Sequence, residues 1–115
     1  MIRTCADDVP TFISHNVPLP RCCPVTGNPA PGSMLRVSYY PAGVVIPVED
    51  LAAWVAEYID GHLLRDIRNM EEMIQDIARR CGETVGVRVR VVADLLIDPP
   101  GDGEQQEMRV ACCVG

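Results

Sequence analysis

Cys22-Cys23-Pro24-Val25-Thr26-Gly27-Asn28-Pro29 is the stretch of this chain whose residue types and spacing best suit chemistry. Pro24 and Pro29 each fix φ and remove a backbone donor. Gly27 permits a tight turn between them, and Asn28 is a common turn residue. The run predicts a stiff loop that holds a thiol in one direction. A thiol so held is a nucleophile once partly ionised. A Pro/Gly-rich connector that happens to carry cysteines has the same composition, and the local residues alone favour that plainer account.

The chain around the loop is 115 residues long, which suits one domain. Its formal net charge is −6, which argues against a protein whose main work is gripping nucleic-acid phosphates. Lysine is absent, so any mechanism that requires one is excluded. Cysteines stand at 5, 22, 23, 81, 112 and 113. The two adjacent pairs are poor disulfide spacing. No Cys-x-x-Cys or Cys-x-x-His spacing appears, so no metal site is expected. Met1 to Asn16 has no apolar signal segment, and no run approaches the roughly 18 apolar residues of a membrane span. The expected setting is cytoplasmic, reduced and away from membranes.

Residues 1–20 read as an extended N-terminal arm, because Val9-Pro10, Val17-Pro18 and Leu19-Pro20 favour extended backbone. His15 lies in it, more plausibly as a hydrogen-bonding residue than as a catalyst. The domain then runs over 21–115. Met34 to Tyr40 reads as a strand and Val44-Val45-Ile46 as a short second one. Glu49 to about Asp60 reads as a helix, with Leu51, Trp54, Val55, Tyr58 and Ile59 at helical spacing. Glu49 and Asp50 suit its N-terminus. A second helix is expected from about Leu64 to Cys81, its buried stripe made by Ile67, Met70, Ile74, Ile77 and Cys81. Gly82 is expected to break it. Val85 to about Ile97 is the strongest strand signal, and Glu107 to Val114 returns as the last strand. The order strand, strand, helix, helix, strand, strand predicts an α+β fold: a four-stranded antiparallel sheet with two helices on one face. Its exposed edges predict assembly of subunits into a ring or barrel. Arg36, Arg88, Arg90 and Arg109 are candidates for a local cationic surface on that sheet.

The Cys-Pro-x-Thr-Gly-x-Pro run, this element order and the short length together resemble the tunnelling-fold family. Within it they resemble the QueF-type enzymes that act on the nitrile of 7-cyano-7-deazaguanine. The resemblance implies that Cys23, directly before Pro24, attacks the nitrile carbon and forms a covalent thioimide. The long branch of the family is an NADPH-dependent nitrile reductase with a Glu-Ser-Lys-Ser-x-Lys motif at the start of the first helix. This chain has Val48-Glu49-Asp50-Leu51-Ala52-Ala53 there, without lysine. The short, QueF-like branch is an amidinotransferase that adds ammonia to the nitrile on transfer RNA and lacks that motif. The chain from Cys23 to the last strand is similar to that branch.

The resemblance therefore implies amidine formation ahead of reduction, with no cofactor, NADPH entering only in the reductase alternative. It implies 7-cyano-7-deazaguanine as partner, free or within nucleic acid, together with ammonia or an amide donor. It further implies a homo-oligomer, on the family's pattern two stacked pentamers. Position by position, two family residues are changed. The family's general acid, an Asp seven residues after the Cys, is Ala30 here, and alanine cannot move a proton. The family's base-reading His-Glu pair is Arg65-Asp66. Asp66 still accepts hydrogen bonds from a guanine-like edge, and Arg65 keeps a donor. His62 is a candidate for part of the lost role. Glu49 completes the candidate substrate-binding set, although capping alone explains an acid there. Asp7, Asp8, Asp60 or a neighbouring subunit are the candidate sources of the missing acid. The competing expectation is a catalytically impaired deazaguanine-binding or structural ring protein.

Overall fold

The structure is a computed structural model that describes residues 2–22, 26–60 and 69–115. Its elements, in chain order, are β1 (Arg3–Thr4), β2 (Ile13–Pro18), β3 (Met34–Tyr39), β4 (Val44–Val45), α1 (Val48–Asp60), α2 (Met70–Val85), β5 (Val89–Ile97) and β6 (Gln106–Val114). The main sheet has four strands in the order β2-β3-β5-β6, every neighbour antiparallel. The α+β expectation of two helices and a four-stranded antiparallel sheet holds at this level.

Two expectations about the strands change. Residues 13–18 are not part of an irregular arm but an edge strand, with Ile13 opposite Tyr39 and Pro18 opposite Met34. Proline is tolerated there because an edge strand leaves one side of its backbone outside the ladder. The Val44–Val45 strand does not join the main sheet; it pairs with Arg3–Thr4 in a separate two-stranded ribbon. The N-terminal residues thus contribute a strand to each of the two sheets.

Strand alternation sorts the main sheet into two faces. Leu35, Val37 and Tyr39 on β3, and Val89, Val91, Ala93 and Leu95 on β5, are buried under the helices. Leu51, Val55, Tyr58 and Ile59 of α1 and Ile74, Ile77, Ala78 and Cys81 of α2 close that core. Their spacing is that of one helical stripe, which is why the sequence showed it. Among the described residues the opposite face carries no helix and is mostly polar.

The second helix is shifted from its expected span. Asn69 caps it, its side-chain oxygen accepting from the Glu72 amide at 2.8 Å. Gly82 does not end it; the helix runs on to Val85, and Val114 Cγ1 lies 3.6 Å from where a Cβ on Gly82 would stand. The stop is Gly86, at φ 70°, whose amide donates to the Gly82 carbonyl at 2.8 Å. β5 accordingly begins at Val89 rather than Val85. The expected residues 64–68 of this helix, Ile67 among them, lie outside the described residues.

Cys81 is buried within this core, and burial pushes its thiol up to about 11. At pH 8 a thiol shifted so far exposes well under 1% thiolate, by the arithmetic of about one tenfold step per unit. Native-state alkylation at that pH is expected to modify Cys81 more than about a hundredfold more slowly than exposed Cys5 or Cys113. Timed iodoacetamide labelling with peptide mapping checks this. Comparable rates would show that the core opens readily at α2.

Candidate functional site

The site is built on the connection from β2 to β3, which carries the Cys-Pro run. Cys23, Pro24 and Val25 lie outside the described residues, but both flanks are fixed. The Cys22 amide donates to the Asn28 carbonyl at 3.0 Å, and the Arg21 guanidinium donates to the Gly27 carbonyl at 2.9 Å. These bonds tie the two sides of the turn together. Gly27 stands at φ 72°, a conformation that side chains disfavour, and an added Cβ would meet Arg21 Nη1 at 3.0 Å. The Cys22 thiol donates to the Pro20 carbonyl at 3.2 Å and packs against the core.

The loop is then latched to the far end of β5. The Asn28 side chain donates to the Asp98 carbonyl at 2.9 Å and accepts from the Asp98 amide at 2.8 Å. That pair uses both ends of one side-chain amide, as a strand neighbour would. The Ala30 amide donates to the Leu96 carbonyl at 2.7 Å. Buried Ser33 donates its hydroxyl to the Ala30 carbonyl and accepts from the Leu96 amide, both at 2.9 Å. These long-range bonds satisfy the polar groups of the connector and fix its described residues to the end of β5.

The helices bring a second group of polar side chains to the same end. Tyr58 donates to Asp76 Oδ2 at 2.7 Å, and Arg80 Nε donates to the same oxygen at 3.0 Å. The Arg80 guanidinium also stands 5.9 Å from the Tyr58 ring centroid. Burial, then the Asp76 hydrogen bond and charge, raises the Tyr58 hydroxyl, and Cys22 adds to that rise, which places Tyr58 within electrostatic reach of the loop. Burial alone would raise the Asp76 carboxyl; the hydrogen bonds from Tyr58 and Arg80 and the Arg80 charge outweigh it and hold it below its ordinary value.

A carboxyl lowered in the fold stabilises above its unfolded pKa, about 3.9, and loses that contribution as pH falls through the folded value. The melting temperature of the wild type is therefore expected to drop more steeply below about pH 4 than that of Asp76→Asn. Parallel thermal scans across that range check it, and equal slopes would contradict it.

The residues named from the sequence divide by position. Cys23, His62, Arg65 and Asp66 lie outside the described residues. Glu49 is exposed in the first turn of α1, about 16 Å along the helix from Asp60. Within one chain it is not brought to the Cys loop. Asp7 and Asp8 lie between β1 and β2, at the end of the sheet where β2 begins, whereas the loop follows the end of β2. Asp60, two residues beyond Tyr58, is at the loop's end of the layer. Ala30, where the resemblance places an acid, is 2% exposed. His15 is held in β2, its Nε2 3.3 Å from the Tyr39 hydroxyl, and burial lowers its pKa.

Asn28 and Ser33 are the residues that reading the sequence missed. Neither has a local signature for this role, because their partners are 70 and 63 residues away. Among the described residues no group of three His, Cys, Asp or Glu side chains is placed to hold a metal ion. No helix among them is long and apolar enough to cross a membrane. Set against protein-family models, curated proteins and solved structures, the chain matches none.

Proposed function

We propose that the chain is a QueF-like, nitrile-processing enzyme of 7-deazaguanine modification with Cys23 as its nucleophile. One observation carries the reading: the Cys-Pro loop is bound across its base and latched to β5 through Asn28 and Ser33. A fixed thiol raises the effective concentration of nucleophile at a bound carbon. In the proposed reaction the Cys23 sulfur bonds to the nitrile carbon while the nitrile nitrogen takes a proton, giving a thioimide. Ammonia then adds to the same carbon, and the Cys23 thiolate leaves and is reprotonated. The product is an amidine, and no electrons are transferred.

Asp66, Arg65 and His62 are the proposed contacts to the base. Because one chain holds Glu49 and the loop at opposite ends of α1, its membership of the site requires a second chain. This reading therefore includes a tunnelling-fold ring, on the family's pattern two stacked pentamers, joined through the free edges of β2 and β6. The chain measures 54 × 27 × 23 Å with a radius of gyration of 15.0 Å. A compact domain of this length has about 13 Å, so the layer is more open than a self-sufficient globule.

The branch is tested by supplying the nitrile base, free and within RNA, with isotopic ammonia or with NADPH. The amidinotransferase reading expects labelled amidine and no nicotinamide oxidation. NADPH consumption with amine product would establish the reductase alternative instead. Saturable binding without either product would establish the impaired, binding-only reading. The oligomer is tested by native mass spectrometry, where multiples of the 12.6 kDa chain are expected and a monomer would contradict the ring.

A further inference from the structure

The helix-free face of the sheet holds a cationic groove at the end opposite the Cys loop. Phe12, Tyr40, Ser38, Arg36, Arg88 and Arg90 line it, and it encloses about 430 Å³, within the usual range for small-molecule sites. Strand register places these residues together. Ser38 is opposite Arg90, and Arg36 is opposite Val92, which makes Arg36 and Arg90 diagonal neighbours at about 7–8 Å. Arg88 is two residues before Arg90 on the same face, about 7 Å away. Along β5 the loop latch at Leu96 is about 13 Å from Val92, the partner of Arg36, and about 20 Å from Arg90.

Three like charges at neighbouring sheet positions destabilise one another. A chain with 16 acidic residues could have met them with carboxylates, and it does so elsewhere on the same face: Arg109 pairs with Asp94 at 2.6 Å. Among the described residues no carboxylate lies within ion-pair distance of Arg36, Arg88 or Arg90. Arg36 is instead steered by a neutral acceptor, Asn16 Oδ1, at 2.9 Å, which leaves its charge uncompensated. Beside the arginines, Phe12 and Tyr40 are 56% and 73% exposed with ring centroids 4.9 Å apart. Two solvent-facing rings next to an unneutralised guanidinium cluster suit a ligand that is flat at one end and multiply anionic at the other.

We infer that this groove binds a free nucleoside phosphate, its phosphates on Arg36, Arg88 and Arg90 and its base on the Phe12–Tyr40 pair. A single ligand is favoured over a nucleic-acid strand because the face changes character beyond the groove. Past Val92 and Ala111 it carries the mutually neutralised Asp94–Arg109 pair and then Glu107, and among the described residues it offers neither a further unpaired cation nor a further aromatic ring. The site does not depend on the chemistry proposed for Cys23.

The test is a titration of the full chain with adenosine diphosphate, followed by the Nε–Hε signals of the arginines in nitrogen-15 spectra. Saturable shifts are expected at Arg36, Arg88 and Arg90. Adenosine or pyrophosphate alone is expected to bind at least about tenfold more weakly. Arg90→Gln should weaken the nucleotide by about tenfold or more, Phe12→Ala should weaken it without affecting pyrophosphate, and Arg109→Gln and Cys23→Ala should leave it unchanged. Ser14→Glu, an exposed change that adds an anion to the groove, serves the same purpose if Arg90→Gln fails to fold. Absence of saturable shifts up to about 10 mM overturns the site. So does equal loss in Arg109→Gln. A ten-residue oligothymidylate that outcompetes the nucleotide would reassign the groove to a strand. Loss of self-association in Arg90→Gln, with no nucleotide effect, would reassign it to a second copy of the chain.

Discussion

Ala30→Asp, which restores the carboxyl that the resemblance places seven residues after Cys23, is expected to destabilise the chain by about 3 kcal/mol or more at neutral pH. Ala30 is 2% exposed, and both its backbone groups are already taken, the amide by Leu96 and the carbonyl by Ser33. An ionised carboxyl in that buried position carries the desolvation cost of a charge taken out of water. Its folded pKa would be raised above the unfolded value of about 3.9. The penalty is then full above the folded pKa and shrinks as pH falls towards the unfolded one. Urea unfolding at neutral pH and near pH 4.5 measures the difference. Wild-type stability of the variant at neutral pH would show that position 30 tolerates an ionised carboxyl. The expected outcome means that a proton donor for the proposed reaction has to come from another position.

Ser33→Ala carries the second large effect. Ser33 is 1% exposed, and its hydroxyl joins the loop to β5, donating to the Ala30 carbonyl and accepting from the Leu96 amide. Alanine leaves the Leu96 amide without its partner and removes one of the two donors on the Ala30 carbonyl. Orphaning a buried donor and losing a hydrogen bond together cost about 2–3 kcal/mol. The damage should be local as well as global. Hydrogen exchange at Leu96 and Asp98 is expected to rise well beyond the global destabilisation, because the Asn28–Asp98 latch shares the same connection. A variant that unfolds earlier but keeps uniform protection would show that Ser33 is ordinary core, with no special hold on the loop.

The helices and the last two strands were legible because their evidence is periodic. Val55, Ile59, Ile74, Ile77 and Cys81 repeat at helical spacing, and Val89, Val91 and Ala93 at strand spacing, and burial follows both. β2 was hidden by its own composition. Ile13, His15 and Val17 do alternate towards the core, but Ser14, Asn16 and Pro18 between them read as loop. Only the partner strand makes them a strand, and a proline at an edge carries no penalty the sequence could show. Gly82 misled as well: the helix carries it in its last turn and stops only at Gly86, at φ 70°. The candidate site divides the same way. The thiol loop announces itself through residue types, whereas its latch joins positions 70 apart and has no local signature.

The central claim is that Cys23 in this latched loop is a nucleophile for a nitrile carbon. Its most direct test is intact mass of the purified chain after incubation with 7-cyano-7-deazaguanine, without reductant, beside Cys23→Ala. An adduct of the full mass of the base is expected on the wild type and none on the variant, despite Ala30. An unmodified wild type that also shows no binding by calorimetry, or an adduct that survives in Cys23→Ala, would contradict it.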